Sequence, residues 1–175
     1  MLFIENSYLK ELESDIVNIK KNQITLNQTI FYAKSGGQPG DIGTLSNNES
    51  NVNIIETVFD EEKNIIHITE EDIKFNINEK IIGKINWKTR YKHMRMHSAL
   101  HLLCSLIPFD VTGGQIRYDK SRLDFNVQDS KIDKEESQKA LKKPQDKISE
   151  PKVVSIEREN KKEILLRNEI NEHED

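Results

Sequence analysis

Hydrophobic and polar residues alternate in several short runs over the first half of the chain. The runs QITLNQTIFYA, NVNIIETVF, KNIIHITE and EKIIGKINW begin at positions 23, 51, 63 and 79. They are rich in Ile, Val and Thr, and clusters of Asn, Glu and Gly separate them, which is typical of strands that bury one face. Residues 1–86 are therefore predicted to form a small antiparallel β-barrel domain.

After position 86 the pattern changes from alternating to helical. The stretch RYKHMRMHSALHLL carries apolar residues at helical spacing, and Pro108 is expected to end that helix. A glycine pair in VTGGQIRYDKSRLDFNV, residues 111–127, predicts a turn that feeds two strand-like segments in a hairpin. Residues 87–175 are interpreted as a second domain.

The tail, residues 129–175, is dominated by Lys and Glu. Helix-like spacing remains at Ile164, Leu165 and Ile170, but the apolar content is low. High charge with few apolar residues predicts that the tail is partly disordered.

Composition limits the classes of function. Hydrophobic residues make up 35% of the chain and charged residues 32%, and no run approaches the roughly 18 apolar residues of a membrane helix. The start, MLFIENSYLKELESD, has acidic residues too early for a secretory signal. The single cysteine, Cys104, excludes an internal disulfide framework. These features predict a cytoplasmic protein.

The net charge of −4 is not that of a general nucleic-acid binder, but one segment is locally basic. It contains Lys84, Lys88, Arg90, Lys92 and Arg95, with Trp87 and Tyr91 between them. Basic residues interleaved with aromatic ones suit contacts with phosphates and bases. Candidate tRNA contacts are Lys88, Arg90, Lys92 and Arg95. The charged face at the start of an ordinary helix is an equally good interpretation.

Three histidines follow one another at four-residue steps: His93, His97 and His101. Four residues are close to one helical turn, so the three imidazoles are expected on one face, and a His-x-x-x-His pair can hold zinc. The alternative is a core helix with polar residues on its outer face. The glutamate of a His-Glu-x-x-His zinc protease is missing. We interpret His67 and His173 as ordinary surface or core histidines.

The segment FYAKSGGQPGDIGTL, residues 31–45, holds four of the seven glycines. Such a cluster marks a tight turn or a close approach of the backbone, and Ser35, Gln38, Asp41 and Thr44 interleave with it. The Gly-Lys-Ser/Thr ending of a phosphate-binding loop is missing. Taken alone, the segment is better explained by a tight loop with no ligand.

Taken in order, FYAKSGGQPGDIG, RYKHMRMHSALHLL and VTGGQIRYDKSRLDF resemble the editing module of alanyl-tRNA synthetases and its free-standing AlaX-type relatives. The resemblance covers about residues 20–128. It implies an α+β fold, in which a small antiparallel β-barrel precedes an α/β editing domain like that of alanyl- and threonyl-tRNA synthetases. It also implies a zinc-dependent hydrolase that removes serine, and often glycine, from mischarged alanine tRNA.

The resemblance also implies roles for individual residues. The expected catalytic residues are Gln38, Asp41 and Gln115; the pocket residues are Gly36, Gly37, Thr44 and Asp124; the first two zinc ligands are His97 and His101. Zinc would polarise the ester or a water, and backbone amides near Gly36 and Gly37 would stabilise the oxyanion. Side chains that hydrogen-bond the hydroxyl of serine would disfavour alanine, and the candidates are Gln38, Thr44 and Gln115. His93 has no ligand role in the family and is expected to be structural or near the tRNA.

The chain departs from the family in its second zinc half-site. The family takes two further ligands from a later Cys-x-x-x-His motif, whereas Cys104 lies upstream of that position. The helix and strand before the missing motif correspond to KIDKEESQKALKK and PKVVSIERE. A truncated gene, a fragment and a lineage that lost the metal are all compatible with this pattern.

Two questions stay open at the level of sequence. Cys104 shares a helix with His97 and His101, but ligands on one straight helix approach a metal from one side, so a buried structural cysteine is favoured. His173 or a partner chain could add a ligand. The alternative functions are an inactive remnant that binds tRNA or a synthetase partner, and a nonfunctional fragment.

Overall fold

The structure is a computed structural model that describes residues 1–70, 72–107, 109–126, 152–158 and 161–167. The chain divides into two compact units, Met1–Arg90 and Tyr91–Asp175. Within the described residues, no helix is both long enough and apolar enough to cross a membrane.

The first unit is built around a closed barrel of six antiparallel strands, as predicted. A short helix, α1 (Leu2–Glu5), precedes the strands, which are β1 (Glu11–Lys20), β2 (Gln23–Leu26), β3 (Gly43–Ser46), β4 (Asn51–Phe59), β5 (Ile65–Thr69) and β6 (Lys80–Ile85). Their order around the barrel is β1-β2-β5-β4-β3-β6, and β6 closes it by pairing with both β1 and β3. Closure leaves no strand of the barrel with an unpaired edge.

Alternation along each strand decides which side chains fill the barrel. In β6, Ile81, Gly83 and Ile85 are buried and the residues between them are exposed. The interior also takes side chains from other strands and from the loop after β2, including the fully buried Ile16 and Phe31. Apolar burial of this kind is the main driving force for folding.

One histidine, His67, lies in the barrel core, in agreement with its interpretation as an ordinary histidine. Its Nδ1 lies 3.0 Å from the carbonyl oxygen of Ile24, which can only accept, so Nδ1 carries the proton. Its Nε2 then accepts a hydrogen bond of 2.9 Å from the hydroxyl of Thr29. Burial lowers the pKa of His67 to about 4, and the core histidine is therefore neutral.

The four apolar runs of the sequence correspond to β2, β4, β5 and β6. Two further strands, β1 and β3, were not predicted. In β1 the register shifts between Ile16 and Asn18, which marks a β-bulge or irregularity, and an extra residue breaks the alternating pattern.

The second unit contains most of the histidine helix, α2 (Trp87–Leu106), which ends before Pro108 as predicted. The buried residues Met96, Ala99, Leu100 and Leu103 recur at steps of three and four and so share one face. They pack with Ile107 and with the later residues Ile116, Leu123 and Phe125. The helix therefore supplies half of a separate apolar core.

Two further core residues, Leu123 and Phe125, lie on β8 of a four-stranded antiparallel sheet of order β7-β8-β10-β9. Its strands are β7 (Val111–Gln115), β8 (Lys120–Phe125), β9 (Lys152–Arg158) and β10 (Lys161–Arg167). The predicted hairpin is present as β7 and β8, but the glycine pair lies inside β7 and not in the turn. A Cβ on Gly113 would lie 2.9 Å from Oδ2 of Asp124, so a larger residue there would displace the Asp124 side chain.

The predicted strand in PKVVSIERE is confirmed as β9, whereas the helix-like interpretation of Ile164 and Leu165 is wrong. Both residues lie in β10, where Ile164 pairs with Leu123 on one side and Ser155 on the other. Consecutive apolar residues suit a strand that is paired at both edges, and short apolar runs do not separate helix from strand. The helix predicted at 131–143, Ile170, and most of the tail predicted to be disordered lie outside the described residues.

Candidate functional site

The glycine-rich segment forms a tight turn between β2 and β3. Ser35 and Gln38 exchange backbone hydrogen bonds of 3.2 and 2.9 Å across the turn. Between them, Gly36 and Gly37 have φ angles of 55° and 78°. Positive φ at both central residues is what a type I′ turn requires, and glycine adopts it without strain.

The segment is attached to β4 by close contact at Gly40. A Cβ on Gly40 would lie 1.9 Å from the carbonyl oxygen of Thr57, so any larger residue would push backbone from backbone. The same carbonyl accepts a hydrogen bond of 2.9 Å from the amide of Lys34, and the Thr57 hydroxyl donates one of 2.8 Å to the carbonyl of Asp41. Thr57 therefore holds both sides of the turn.

The side chain of Asp41 is buried and paired. Its Oδ2 accepts one hydrogen bond of 2.9 Å from the backbone amide of Tyr32 and another from the guanidinium of Arg90, which is only 4% exposed. Burial raises the pKa of Asp41, and the positive charge of Arg90 and the Tyr32 amide oppose that rise. The guanidinium carbon of Arg90 also lies 5.4 Å from the centre of the Tyr32 ring. These contacts join the loop to the start of α2.

Two further predicted residues occupy different positions in this unit. Gln38 is buried, with 3% of its surface exposed, at the end of the turn. Thr44, in β3, is half-buried and lines an open cavity of about 520 Å³ together with Glu70, Lys84 and Asn86. Thr44 is therefore a predicted pocket residue that lies at a cavity.

The imidazoles of His97 and His101 lie against each other on α2. Their ring centres are 4.9 Å apart and their planes differ by 14°. His97 is half-buried and His101 is exposed. Burial and the neighbouring His101 lower the pKa of His97, which favours the neutral imidazole, the form that binds metals.

His93 does not share the face of the other two histidines, contrary to the expectation from spacing. It is 4% exposed, and its ring centre lies 6.3 Å from that of Tyr118. Each four-residue step rotates a side chain by about 40° around a helix, so two steps separate His93 from His101 by about 80°. His93 thus lies on the buried side of α2, in agreement with the structural role expected for it.

Cys104 packs against the apolar core of the second unit. Burial raises the pKa of its thiol, so the protonated form is favoured over the thiolate that binds metals. Within the described ranges, no group of three or more His, Cys, Asp or Glu side chains is placed to hold a metal ion.

The remaining predicted pocket residues, Gln115 and Asp124, lie on the β7–β8 hairpin. Gln115 is exposed and pairs in register with Arg122. Asp124 is half-buried, and its Oδ1 lies 3.1 Å from Nε of Arg122. The hairpin therefore presents one exposed amide and one carboxylate that is held by a neighbouring cation.

The four predicted tRNA contacts differ in exposure. Lys88 is exposed, Lys92 and Arg95 are half-buried, and Arg90 is buried against Asp41. The Lys92 ammonium lies 5.7 Å from the centre of the Tyr118 ring. The first turn of α2 has no acidic residue, although negative charge is favoured there by the helix dipole. The helix dipole therefore does not favour Lys88 at its position in that turn.

Sequence reasoning placed Trp87 in a basic segment but missed the cluster that it forms with Tyr8 and Lys10. The rings of Tyr8 and Trp87 are 5.5 Å apart, and the Lys10 ammonium lies 5.0 Å from the centre of the Trp87 ring. Tyr8 is 62% exposed. The sequence around it, NSYLK, has no periodic pattern, so only its aromatic residue among polar ones could have drawn attention.

Comparison with known proteins bears on both units. The family described as tRNA synthetases class II (A) matches residues 3–89. An alanyl-tRNA editing protein, AlaX-M, of Saccharolobus solfataricus is 36% identical over 132 residues, which cover 73% of this chain and 56% of that protein. The AlaX-M protein of Pyrococcus horikoshii is 43% identical over 102 residues, 58% of this chain and 45% of that protein. This chain belongs to the alanyl-tRNA editing family.

Members of the family also occur inside synthetases. The alanine–tRNA ligase of Methanococcus aeolicus is 33% identical over 131 residues, which cover 71% of this chain and 14% of that protein. The chain spans about half the length of the AlaX-M relatives that it matches. The α+β fold with a small antiparallel barrel, expected from the resemblance to the alanyl-tRNA editing family, is confirmed.

Proposed function

We propose that this chain acts in trans on alanine tRNA mischarged with serine or glycine and hydrolyses the aminoacyl ester. The observation that carries the proposal is the pair of parallel imidazoles, His97 and His101, on α2 of a chain similar to alanyl-tRNA editing proteins. Two imidazoles one helical turn apart can both bind a single zinc ion. We assign the reaction to the cytoplasm, where tRNA is charged.

His97 and His101 would hold a zinc ion as two of its ligands. The lowered pKa of His97 supports this, because a metal requires the unprotonated ring. Two imidazoles make half of a tetrahedral set, so the proposal needs further ligands from outside the described residues or from a partner chain. Bound zinc supplies Lewis acidity toward a carbonyl oxygen or a water.

The residues of the chain would orient the substrate and recognise serine. Gly36 and Gly37 are exposed residues of the turn, and their backbone amides are proposed to stabilise the oxyanion. Thr44 and Gln115, with Gln38, are proposed to hydrogen-bond the serine hydroxyl, which alanine lacks. Asp41, proposed as catalytic, would act through the loop that its carboxylate holds, because that carboxylate is already bonded to Tyr32 and Arg90.

For the tRNA, we propose contacts by Lys88, Lys92 and Arg95 on α2. They are the basic residues of the predicted set that keep exposed or half-buried side chains. Arg90 is proposed to position Asp41 instead, since its side chain is buried in that ion pair. Phosphate contacts of this kind strengthen binding without reading the sequence of the tRNA.

The deciding experiment measures, for wild type and variants, the zinc content and the rate at which alanine tRNA mischarged with serine is hydrolysed. The double variant His97→Ala/His101→Ala is measured beside Ser98→Ala, a matched control because Ser98 is exposed on the same helix. We expect about one zinc per chain and hydrolysis in wild type and in Ser98→Ala, with both lost in the double variant. A wild-type protein without zinc that still hydrolyses the ester would remove the metal from the mechanism.

The same experiment tests the alternative of an inactive remnant. A wild-type chain that binds alanine tRNA but neither holds zinc nor hydrolyses the ester would establish binding as its function. Gln115→Ala tests the substrate: if it clears serine as fast as wild type, Gln115 has no part in recognising the hydroxyl.

A further inference from the structure

We infer that Tyr8, Trp87 and Lys10 form a contact site for an unpaired RNA segment, with Tyr8 as a stacking surface for a base and Lys10 as a phosphate contact. The inference rests on the proposed function, because it adds a binding site for the same tRNA. Neither Tyr8 nor Lys10 is among the predicted tRNA contacts.

The exposure of Tyr8 is the first observation. Its side chain is 62% exposed although its ring lies 5.5 Å from the ring of Trp87, at a tilt of 49°. Trp87 itself is half-buried and packs against the barrel core. One ring is thus anchored and supports the other, which offers a broad flat surface to the solvent. Aromatic rings of this kind stack with bases of any identity.

The second observation is that the backbone after Tyr8 is held by hydrogen bonds. The carbonyl of Lys10 accepts a hydrogen bond of 3.1 Å from the amide of Ile85, at the end of the ladder between β1 and β6. The amide of Leu9 donates one of 3.3 Å to the carbonyl of Asn6, which closes a turn around Tyr8. The backbone of this segment therefore has little conformational entropy to lose when a ligand binds.

The third observation is the local charge. The Lys10 ammonium lies 5.0 Å from the centre of the Trp87 ring, and the exposed Lys88 follows Trp87 in the chain. Lys84, also exposed, pairs in register with Glu11, the residue after Lys10. The chain as a whole carries a net charge of −4, so the lysine over the Trp87 ring is a local positive feature. Stacking with nearby positive charge is the chemistry that binds single-stranded nucleic acid.

The chain provides its own probe for this site, because Trp87 is its single tryptophan. A base that stacks on Tyr8 should change the fluorescence of Trp87. The ligands are an unacylated transcript of alanine tRNA and a short RNA that ends in an unpaired ACCA, each titrated into the full chain at several salt concentrations.

We expect Tyr8→Ala to weaken binding of both RNAs about 5- to 100-fold, and Tyr8→Phe to bind like wild type because stacking does not need the hydroxyl. Lys10→Ala should reduce the slope of log affinity against log salt by about 0.7, the value for one phosphate of a single strand. The matched controls are Ile77→Ala, another exposed large residue of the barrel unit, and Lys20→Ala, at the other end of β1. Both controls should leave affinity and slope unchanged.

Two results would overturn the inference: RNA binding that Tyr8→Ala and Lys10→Ala change no more than the controls do, or a wild-type chain that does not bind either RNA. If these variants instead reduce binding of an acidic protein partner and not of RNA, the cluster is a protein-binding surface and the inference is wrong. The proposed function is judged separately, by hydrolysis. Binding that depends on Tyr8 in a chain without hydrolytic activity would sustain the inference and reject the proposed function.

Discussion

Asp41 and Arg90, which are 49 residues apart in the chain, form an ion pair buried inside the first unit. Their side chains are 2% and 4% exposed, and the Asp41 carboxylate also accepts a hydrogen bond from the backbone amide of Tyr32. A buried pair of this kind is costly to break, since the remaining charge keeps its desolvation penalty without a partner. The pair therefore fixes the glycine-rich loop against the beginning of α2.

Replacing Arg90 by Met should lower the free energy of unfolding by about 3 to 5 kcal/mol at neutral pH. The loss should shrink as the pH falls. Burial raises the pKa of Asp41, and without Arg90 that pKa rises further, so the acid becomes neutral in the folded protein at a higher pH than in the unfolded chain. Urea unfolding at pH 7 and at lower pH measures both effects.

Lys34→Met is the control for that substitution, because Lys34 pairs with Glu56 on the surface, where both side chains are well exposed. Exposed pairs contribute little, so its stability should match that of wild type. An equal loss of unfolding free energy in Arg90→Met and Lys34→Met would mean that the buried pair stabilises the protein no more than the exposed pair does.

The neutral histidine of the barrel predicts a loss of stability in acid. The folded pKa of His67 is about 4, below its unfolded value near 6.5, so its contribution is complete above pH 6.5 and is lost as the pH falls toward 4. The shift corresponds to about 3 kcal/mol over that range. Denaturant unfolding at several pH values between 6.5 and 4, followed by the fluorescence of Trp87, measures this change in the free energy of unfolding.

His67→Gln separates this effect from general acid denaturation. Glutamine does not titrate and can still hydrogen-bond Thr29 or the Ile24 carbonyl, which lie 2.9 and 3.0 Å from the imidazole. The variant should be less stable at pH 7, yet its stability should depend less on pH between 6.5 and 4 than that of wild type. Parallel pH profiles for the two proteins would exclude His67 as the cause.

Two alanine substitutions in the glycine-rich loop should have different costs. Gly40→Ala places a Cβ 1.9 Å from the Thr57 carbonyl oxygen and forces β4 and the loop apart, so we expect a loss above about 3 kcal/mol. Gly36→Ala meets no atom within 4 Å and carries only the strain of a positive φ, about 1 to 2 kcal/mol. Chemical denaturation of both variants tests the order; a reversed order would contradict the contact with Thr57.

Cys104 offers a test of the metal site that is independent of the histidines. Because its thiol packs against an apolar core and has a raised pKa, Cys104→Ala should leave the zinc content unchanged and cost within about 1 kcal/mol of stability. Elemental analysis and denaturation on the same preparation give both values. Loss of zinc in this variant would make Cys104 a ligand.

The sequence predicted those parts of the fold that depend on local patterns. Strands β2, β4, β5 and β6 follow from alternating β-branched residues, and α2 follows from its apolar spacing and Pro108. It did not predict β1, where the polar Ser14 is buried, the apolar Val17 is exposed, and the register shifts between Ile16 and Asn18. A bulge is a property of the pairing between two strands, and one strand read alone does not show it.

The same distinction applies to the candidate site. Spacing located His97 and His101, but it did not reveal that rotation along α2 takes His93 to the buried side. Arg90 was interpreted as a surface contact because it lies in a basic stretch. Its burial depends on a carboxylate 49 residues earlier, and no local pattern contains that information.

That long separation has a consequence for synthesis on the ribosome. Asp41 leaves the exit tunnel well before Arg90 has been added, and the barrel closes only when β6 pairs with β1 and β3. Until then the Asp41 carboxylate of the nascent chain cannot form its ion pair with Arg90. The edge of β1 that later pairs with β6 is also still unpaired. Barrel closure and maturation of the glycine-rich loop must therefore occur late and close together in time, once the first turn of α2 has emerged.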